Sequence, residues 1–147
     1  MSIFPTKVLF ATDGSRDAEL AATTAVGLAN TTGSELHLIH VGPVVPEHYE
    51  PTDVEPVRIH REATKILQVQ SSKIQILHGK LAGSHLRMGG AVEEILEFAR
   101  QIGAGLIVVG SRGLSGMRRA LVGSVSDSVV RHVHCPVLVV RPEEGGA

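Results

Sequence analysis

The stretch that decides the reading of this chain is Leu106-Ile107-Val108-Val109-Gly110-Ser111-Arg112-Gly113, followed after nine further residues by Gly123-Ser124. Four consecutive apolar residues ahead of a glycine read as a strand buried on both faces. Val125 to Val133 then reads as a helix. Glycine lets a backbone approach a ligand closely and adopt positive φ without strain at Cβ. The unpaired amides at a helix start meet an anion, and the helix dipole favours it. A strand ending in glycines, with a second Gly-Ser pair opening a helix, therefore implies a phosphate-holding loop.

Working outward, Lys7 to Ala11 is a short apolar run that reads as a first buried strand and stops at Thr12-Asp13-Gly14-Ser15. Ser15 is the expected N-cap of the following helix. That helix carries Ala18, Ala21, Ala22, Ala25 and Ala29 at three- and four-residue spacings, and Gly33 is its stop signal. Glu35 to Val41 is the second strand, and the proline-bearing stretch from Gly42 to Asp53 reads as a loop. Asp53 is the expected cap of a long helix from about Val54 to His78, closed by Gly79. In it Ile66, Leu67, Ile74 and Leu77 form the apolar side, and Pro56 is tolerated in the first turn. Leu81 to Met88 is a more polar third strand, expected at a sheet edge. Ala91 to Ile102 is an amphipathic helix closed by Gly103, and Val137 to Val140 is the fifth strand.

Five strands separated by four helices imply an α/β domain with a parallel sheet and right-handed crossovers. Ligands of such sheets sit beyond the carboxyl ends of the strands, where strand order reverses. That rule gathers Asp13, Val41 and Gly110 around one crevice.

With 147 residues the chain is expected to form one domain, its core spanning residues 6–141 with a frayed tail at 142–147. A domain of this size buries about 68–70% of its unfolded surface and needs no disulfide. The single cysteine and the absence of an apolar leader lead to an expected cytoplasmic location. A net charge of −1 with no tryptophan and one tyrosine argues against a nucleic-acid surface. No apolar run approaches the ~20 residues that span a membrane.

The spacing Gly110-x2-Gly113-x9-Gly123-Ser124 resembles the ATP-binding signature of the universal stress protein family. Val8 to Ser15 and Cys135 to Val140 resemble that family's two ends, so the likeness runs from about Lys7 to Arg141. The resemblance implies a single doubly wound domain with a five-stranded parallel sheet, order 3-2-1-4-5, Rossmann-like and adenine nucleotide alpha hydrolase-like. It implies a homodimer through the last strand, Val137 to Arg141, and a place in the branch that binds ATP. By the same likeness Asp13 contacts the ribose, the Val41 backbone reads the adenine edge, and Ala11 and Thr12 line the base pocket. Gly110 and Gly113 let the loop close, while Gly123, Ser124 and Val125 offer amides, with the Ser124 hydroxyl, to the phosphates. Gly105 and Gly90-Ala91 depart from the family's usual aspartate and proline at those places.

No Gly-Lys-Ser/Thr follows the loop, so this is not a Walker P-loop, and no Gly-x-Gly-x-x-Gly follows strand 1. Triphosphate charge then falls to Arg112, Arg118 or Arg119, or to a Mg2+ or Mn2+ ion held by phosphate oxygens. Arg118 and Arg119 read equally as a solvated surface pair. Asp13 also reads as a helix cap alone, but a carboxylate suits ribose hydroxyls and repels phosphate, which puts it at the nucleoside end. His132 and His134 straddle a helix end, where cations suit the dipole, and lack a second ligand group at metal spacing. His37 and His40 fall on opposite faces of strand 2. No catalytic residue is assigned: there is no Gly-x-Ser-x-Gly elbow beside Ser115 or Ser124. A binding module is the primary reading, with a slow ATPase or nucleotide hydrolase and a ligand-free dimeric scaffold as alternatives.

Overall fold

The computed structural model describes residues 2–45, 50, 54–111 and 124–142. The elements run β1 (Lys7–Thr12), α1 (Arg16–Thr32), β2 (Glu35–Gly42), α2 (Glu55–Ile76), β3 (Leu81–Met88), α3 (Ala91–Ile102), β4 (Leu106–Gly110), α4 (Ser124–His132) and β5 (Val137–Val140). All strand pairs are parallel, and the order is β3-β2-β1-β4-β5. The expected sheet is therefore observed, with β3 at one edge.

The sheet is covered on both faces. Val8, Phe10, Leu36, Leu38 and Val108 pack against the alanine face of α1 and Ile74 of α2. Leu9, Ile39, Ile107 and Val109 pack on the other face against Ile95 and Phe98 of α3 and Val129 of α4. This explains the unbroken apolar runs of β1 and β4: alternate residues enter different cores. Ala18, Ala21, Ala22, Ala25 and Ala29 are all buried, so the small side chains seat α1 close to the strands. Gly33 and Gly103 end α1 and α3 in the left-handed conformation, with φ of 70° at each.

Three local expectations need correction. Gly79 does not close α2: the helix ends at Ile76 with Leu77 as its cap, and His78 beyond it is left-handed (φ 65°). Gly79 serves packing instead, since a Cβ there would lie 2.7 Å from Ile74 Cγ2 and 2.9 Å from Val26 Cγ2. Leu77 is not on the buried side of α2. The buried row is Ala63, Gln70 and Ile74 with Leu67 packed beside it, because the hydrophobic face is set by α1 and the sheet. The α2 cap position is Val54, without a side-chain bond, and the expected cap Asp53 lies outside the described residues. Gly90 precedes α3 in an extended conformation and also offers no side-chain cap.

At the β2–β3 edge the sheet carries an unusual pair. The β2–β3 register shifts between Leu36 and His37, setting His37 opposite Gly83. The His37 and His85 rings stack with centroids 6.0 Å apart, and His85 leans on Phe98 at 4.2 Å. A Cβ at position 83 would lie 2.5 Å from His85 Nε2 and 3.1 Å from His37 Nδ1, so glycine makes the space. Both His37 nitrogens and His85 Nε2 are buried without a hydrogen-bond partner among the described residues. Burial holds both imidazoles below the ordinary histidine range. Lys7 reinforces this at His37 and Glu35 opposes it, while His37 and Arg87 reinforce it at His85.

Both rings are thus neutral in the fold, and the unfolded chain takes up their protons first as pH falls below about 6.5. The contribution to stability is complete above that pH and is lost on acidification toward the folded-state values. Thermal unfolding followed from pH 8 to 5 is expected to show Tm falling below pH 6.5, with a shallower fall in a His37→Asn/His85→Asn variant. Equal slopes in the two proteins would contradict this account.

Candidate functional site

The candidate site is the carboxyl edge of the sheet, where β1 and β4 lie side by side and α1 and α4 cover opposite faces. The β1 turn is built from its own side chains. Thr12 is buried; its Oγ1 accepts the Gly14 amide at 3.1 Å and donates to Gln70 Oε1 at 2.7 Å. Asp13 Oδ1 accepts the Ser15 amide at 2.9 Å, forming an Asx turn. Gly14 takes φ +79°, where a side chain would be strained and would also meet Ile66 Cγ2 at 3.1 Å. Ser15 Oγ accepts the Ala18 amide at 3.3 Å, so Ser15 is the α1 cap, as its sequence context predicts. The half-buried Asp13 stands just ahead of the α1 amino terminus with one carboxylate oxygen committed to the turn.

The end of β2 is fastened to this turn by His40, whose Nδ1 donates to the Thr12 carbonyl at 2.8 Å. That bond fixes the proton on Nδ1. Val41 follows, one residue beyond the last β1–β2 pair and still in register with Arg87 of β3. The Val41 and Ala11 side chains are partly buried on the α3/α4 face, whereas Thr12 turns to the α1/α2 face.

The exit of β4 is held from three directions. The Ser111 amide donates to the Val140 carbonyl at 2.9 Å, and its hydroxyl donates to Asp17 Oδ2 at 3.1 Å. Ser126 Oγ of α4 donates to the Gly110 carbonyl at 2.5 Å. This last bond draws the exposed first residues of α4, Ser124 and Val125, to the end of β4. Gly110 has a packing reason of its own: a Cβ there would lie 3.1 Å from the carbonyl carbon of Asp17 and 3.2 Å from its oxygen.

Seven of the expected residues, Ala11, Thr12, Asp13, Val41, Gly110, Ser124 and Val125, thus sit along this edge or at the helix start tied to it. Arg112, Gly113 and Gly123, like Arg118 and Arg119, lie outside the described residues. The sequence reading missed Gln70, His40, Asp17, Ser111 and Ser126 as builders of the edge. Only Gln70 left a signal, as a polar residue on the spacing of Ala63, Leu67 and Ile74. An open groove of about 920 Å3 lies to the side, lined by Val45, Val57, His60, Arg61, Lys65 and Met88 among others, and contains none of the expected residues.

Burial pushes the Cys135 thiol up, opposite to the direction of a reactive thiolate. His132 Nδ1 donates to the Ser128 carbonyl at 2.8 Å, closing a helical turn. Among the described residues no three His, Cys, Asp or Glu side chains gather as a metal site, and no helix is long and apolar enough to cross a membrane.

A parallel sheet wound on both faces, with the exits of its central strands exposed at one edge, is a Rossmann-like α/β domain. Within that class the chain belongs to the universal stress protein family, whose model matches residues 5–141. It is 37% identical over 150 residues to "Universal stress protein YxiE" of Bacillus subtilis (strain 168), covering 92% of this chain and 98% of that protein. Among solved structures it is similar to "Universal stress protein UspA from Lactobacillus plantarum", with a TM-score of 0.77 and 25% identity over 94% of this chain and 99% of the other. It is similar also to a "universal stress protein in complex with cAMP", with a TM-score of 0.69 and 26% identity over 94% of this chain and 98% of that one.

Gly110→Ala is expected to destabilise the protein by about 1–3 kcal/mol, the range for forcing extra volume into a packed contact. Urea unfolding measures it, and an unchanged midpoint would show that the α1 turn yields freely.

Proposed function

We propose that the chain is an ATP-binding universal stress protein acting as a nucleotide-dependent regulatory module in the cytoplasm, as a homodimer joined through Val137 to Arg141. Asp13 takes the ribose hydroxyls, the Val41 backbone meets the adenine edge, and Ala11 and Thr12 lie beside the base. Gly110, Arg112 and Gly113 belong to the loop that follows the phosphates. Gly123, Ser124 and Val125 supply amides, and Ser124 its hydroxyl. When bound, Mg2+ or Mn2+ on the phosphate oxygens would neutralise charge that no lysine meets.

The observation that carries this reading is the Ser126–Gly110 bond, which joins the two halves of the glycine signature across the loop between them. The donor set fits the ligand by charge. A carboxylate at the β1 turn suits uncharged hydroxyls and repels phosphate. The exposed start of α4 suits an anion. The 26%-identical relative described in complex with cAMP adds support for an adenine nucleotide. For the dimer, the support is that β5 is a sheet edge whose residues Val137 to Val140 are each only half-buried.

A ligand at 100 times its dissociation constant stabilises a fold by about 2.7 kcal/mol, or roughly 5–11 °C in Tm at this size. ATP with magnesium is expected to produce such a rise, with AMP and cAMP titrated in parallel to rank the nucleotides. Gly113→Val is expected to abolish the ATP effect. No thermal shift and no titration heat at millimolar nucleotide would remove the proposal and favour a ligand-free scaffold. Turnover well above about 1 s⁻¹ would make the protein an enzyme instead. Sedimentation at the monomer mass would remove the dimer.

A further inference from the structure

The β1 turn is gripped from outside by one helix. Ile66 of α2 abuts Gly14, and Gln70, one turn later, accepts the Thr12 hydroxyl at 2.7 Å. The same hydroxyl oxygen accepts the Gly14 amide at 3.1 Å. Gln70 is 3% exposed and lies on the buried row with Ala63, Leu67 and Ile74. Leucine at that place would bury only apolar atoms. Glutamine instead leaves its Nε2 buried without a partner among the described residues. A buried donor left unpaired opposes folding, so what glutamine offers at this place is its carbonyl, the acceptor of the Thr12 hydroxyl.

That carbonyl orients Thr12. An oxygen that donates to Gln70 and accepts from Gly14 has its proton direction fixed, and the amide it receives fixes the peptide between Asp13 and Gly14. Asp13 is then held from both sides, by this peptide and by the Ser15 amide on its own Oδ1. His40 locks the Thr12 carbonyl independently, at 2.8 Å.

We infer that Gln70 is a positioning residue for ribose recognition: through the Thr12 hydroxyl it sets the orientation of the Asp13 carboxylate toward the ribose hydroxyls of a bound nucleotide. The inference deepens the nucleotide reading above and rests on it. It makes α2 part of the site although no atom of Gln70 need touch ligand. It also makes discrimination between ribose and a sugar lacking hydroxyls depend on a side chain in the core.

The test measures dissociation constants for ATP and for 2′,3′-dideoxy-ATP, which lacks both ribose hydroxyls. In the parent protein ATP is expected to bind more tightly. Gln70→Leu is expected to weaken ATP about three- to tenfold, the effect of one neutral hydrogen bond. Binding of the dideoxy analogue stays nearly constant, so the ratio collapses. Tm is expected to change little, since the variant removes the unpaired Nε2 but leaves the Thr12 hydroxyl without its acceptor. Thr12→Val reproduces the loss, and adding Gln70→Leu to it costs no further affinity. Gln70→Met, of similar length and without an acceptor, is the second variant should leucine disturb the packing.

Gln70 variants that keep the parent's ATP-to-dideoxy ratio would overturn this inference alone. So would a parent that binds both nucleotides equally. A parent that binds neither would overturn the proposed function together with the inference.

Discussion

The constraint on which the structure depends is the double pairing of β1, with β2 on one side and β4 on the other. Val8 to Ala11 are in register both with Leu36 to Ile39 and with Leu106 to Val109. The chain first builds outward through β2 and β3, then crosses back to add β4 and β5 on the other side. Right-handed crossovers then force α1 and α2 onto one face and α3 and α4 onto the other. The ends of β1 and β4 meet at the carboxyl edge, where sheets of this kind bind their ligands. Fold and site therefore share one cause.

What turns that edge into a site is a set of hydrogen bonds crossing between elements. Thr12 to Gln70, His40 to the Thr12 carbonyl, Ser111 to Asp17 and Ser126 to the Gly110 carbonyl tie four elements, α2, β2, α1 and α4, to the two strand ends. Thr12, His40, Gln70, Ser111 and Ser126 are all buried. In a low-dielectric interior such bonds are costly to leave unmade, so they hold one arrangement of the edge rather than several. The edge also carries an acidic turn after β1 and an exposed helix start after β4.

Much of this was legible in the residues. The apolar runs of β1 and β4 gave the central strands because a strand buried on both faces has no polar alternation to obscure it. The alanines of α1 and the caps Ser15, Gly33 and Gly103 gave boundaries because each is required by local geometry. The end of α2 falls ahead of the glycine because Leu77 caps the helix and His78 itself takes the left-handed conformation. Leu77 leaves the apolar row because α2 ends at Ile76 and residue 77 is its cap, beyond the helical spacing. The cross-links that build the site were invisible for a different reason. His40 and Thr12 are 28 residues apart, Gln70 and Thr12 58, and Ser111 and Asp17 94. Such pairs exist only once strand order has brought them together.

The most direct test is a ¹⁵N-resolved NMR titration of the labelled protein with ATP and magnesium. This account predicts amide shifts concentrated at Ala11 to Ser15, Val41, Gly110, Ser111 and the start of α4. Shifts confined instead to the groove of Val57 to Lys65, with the strand ends unmoved, would contradict it.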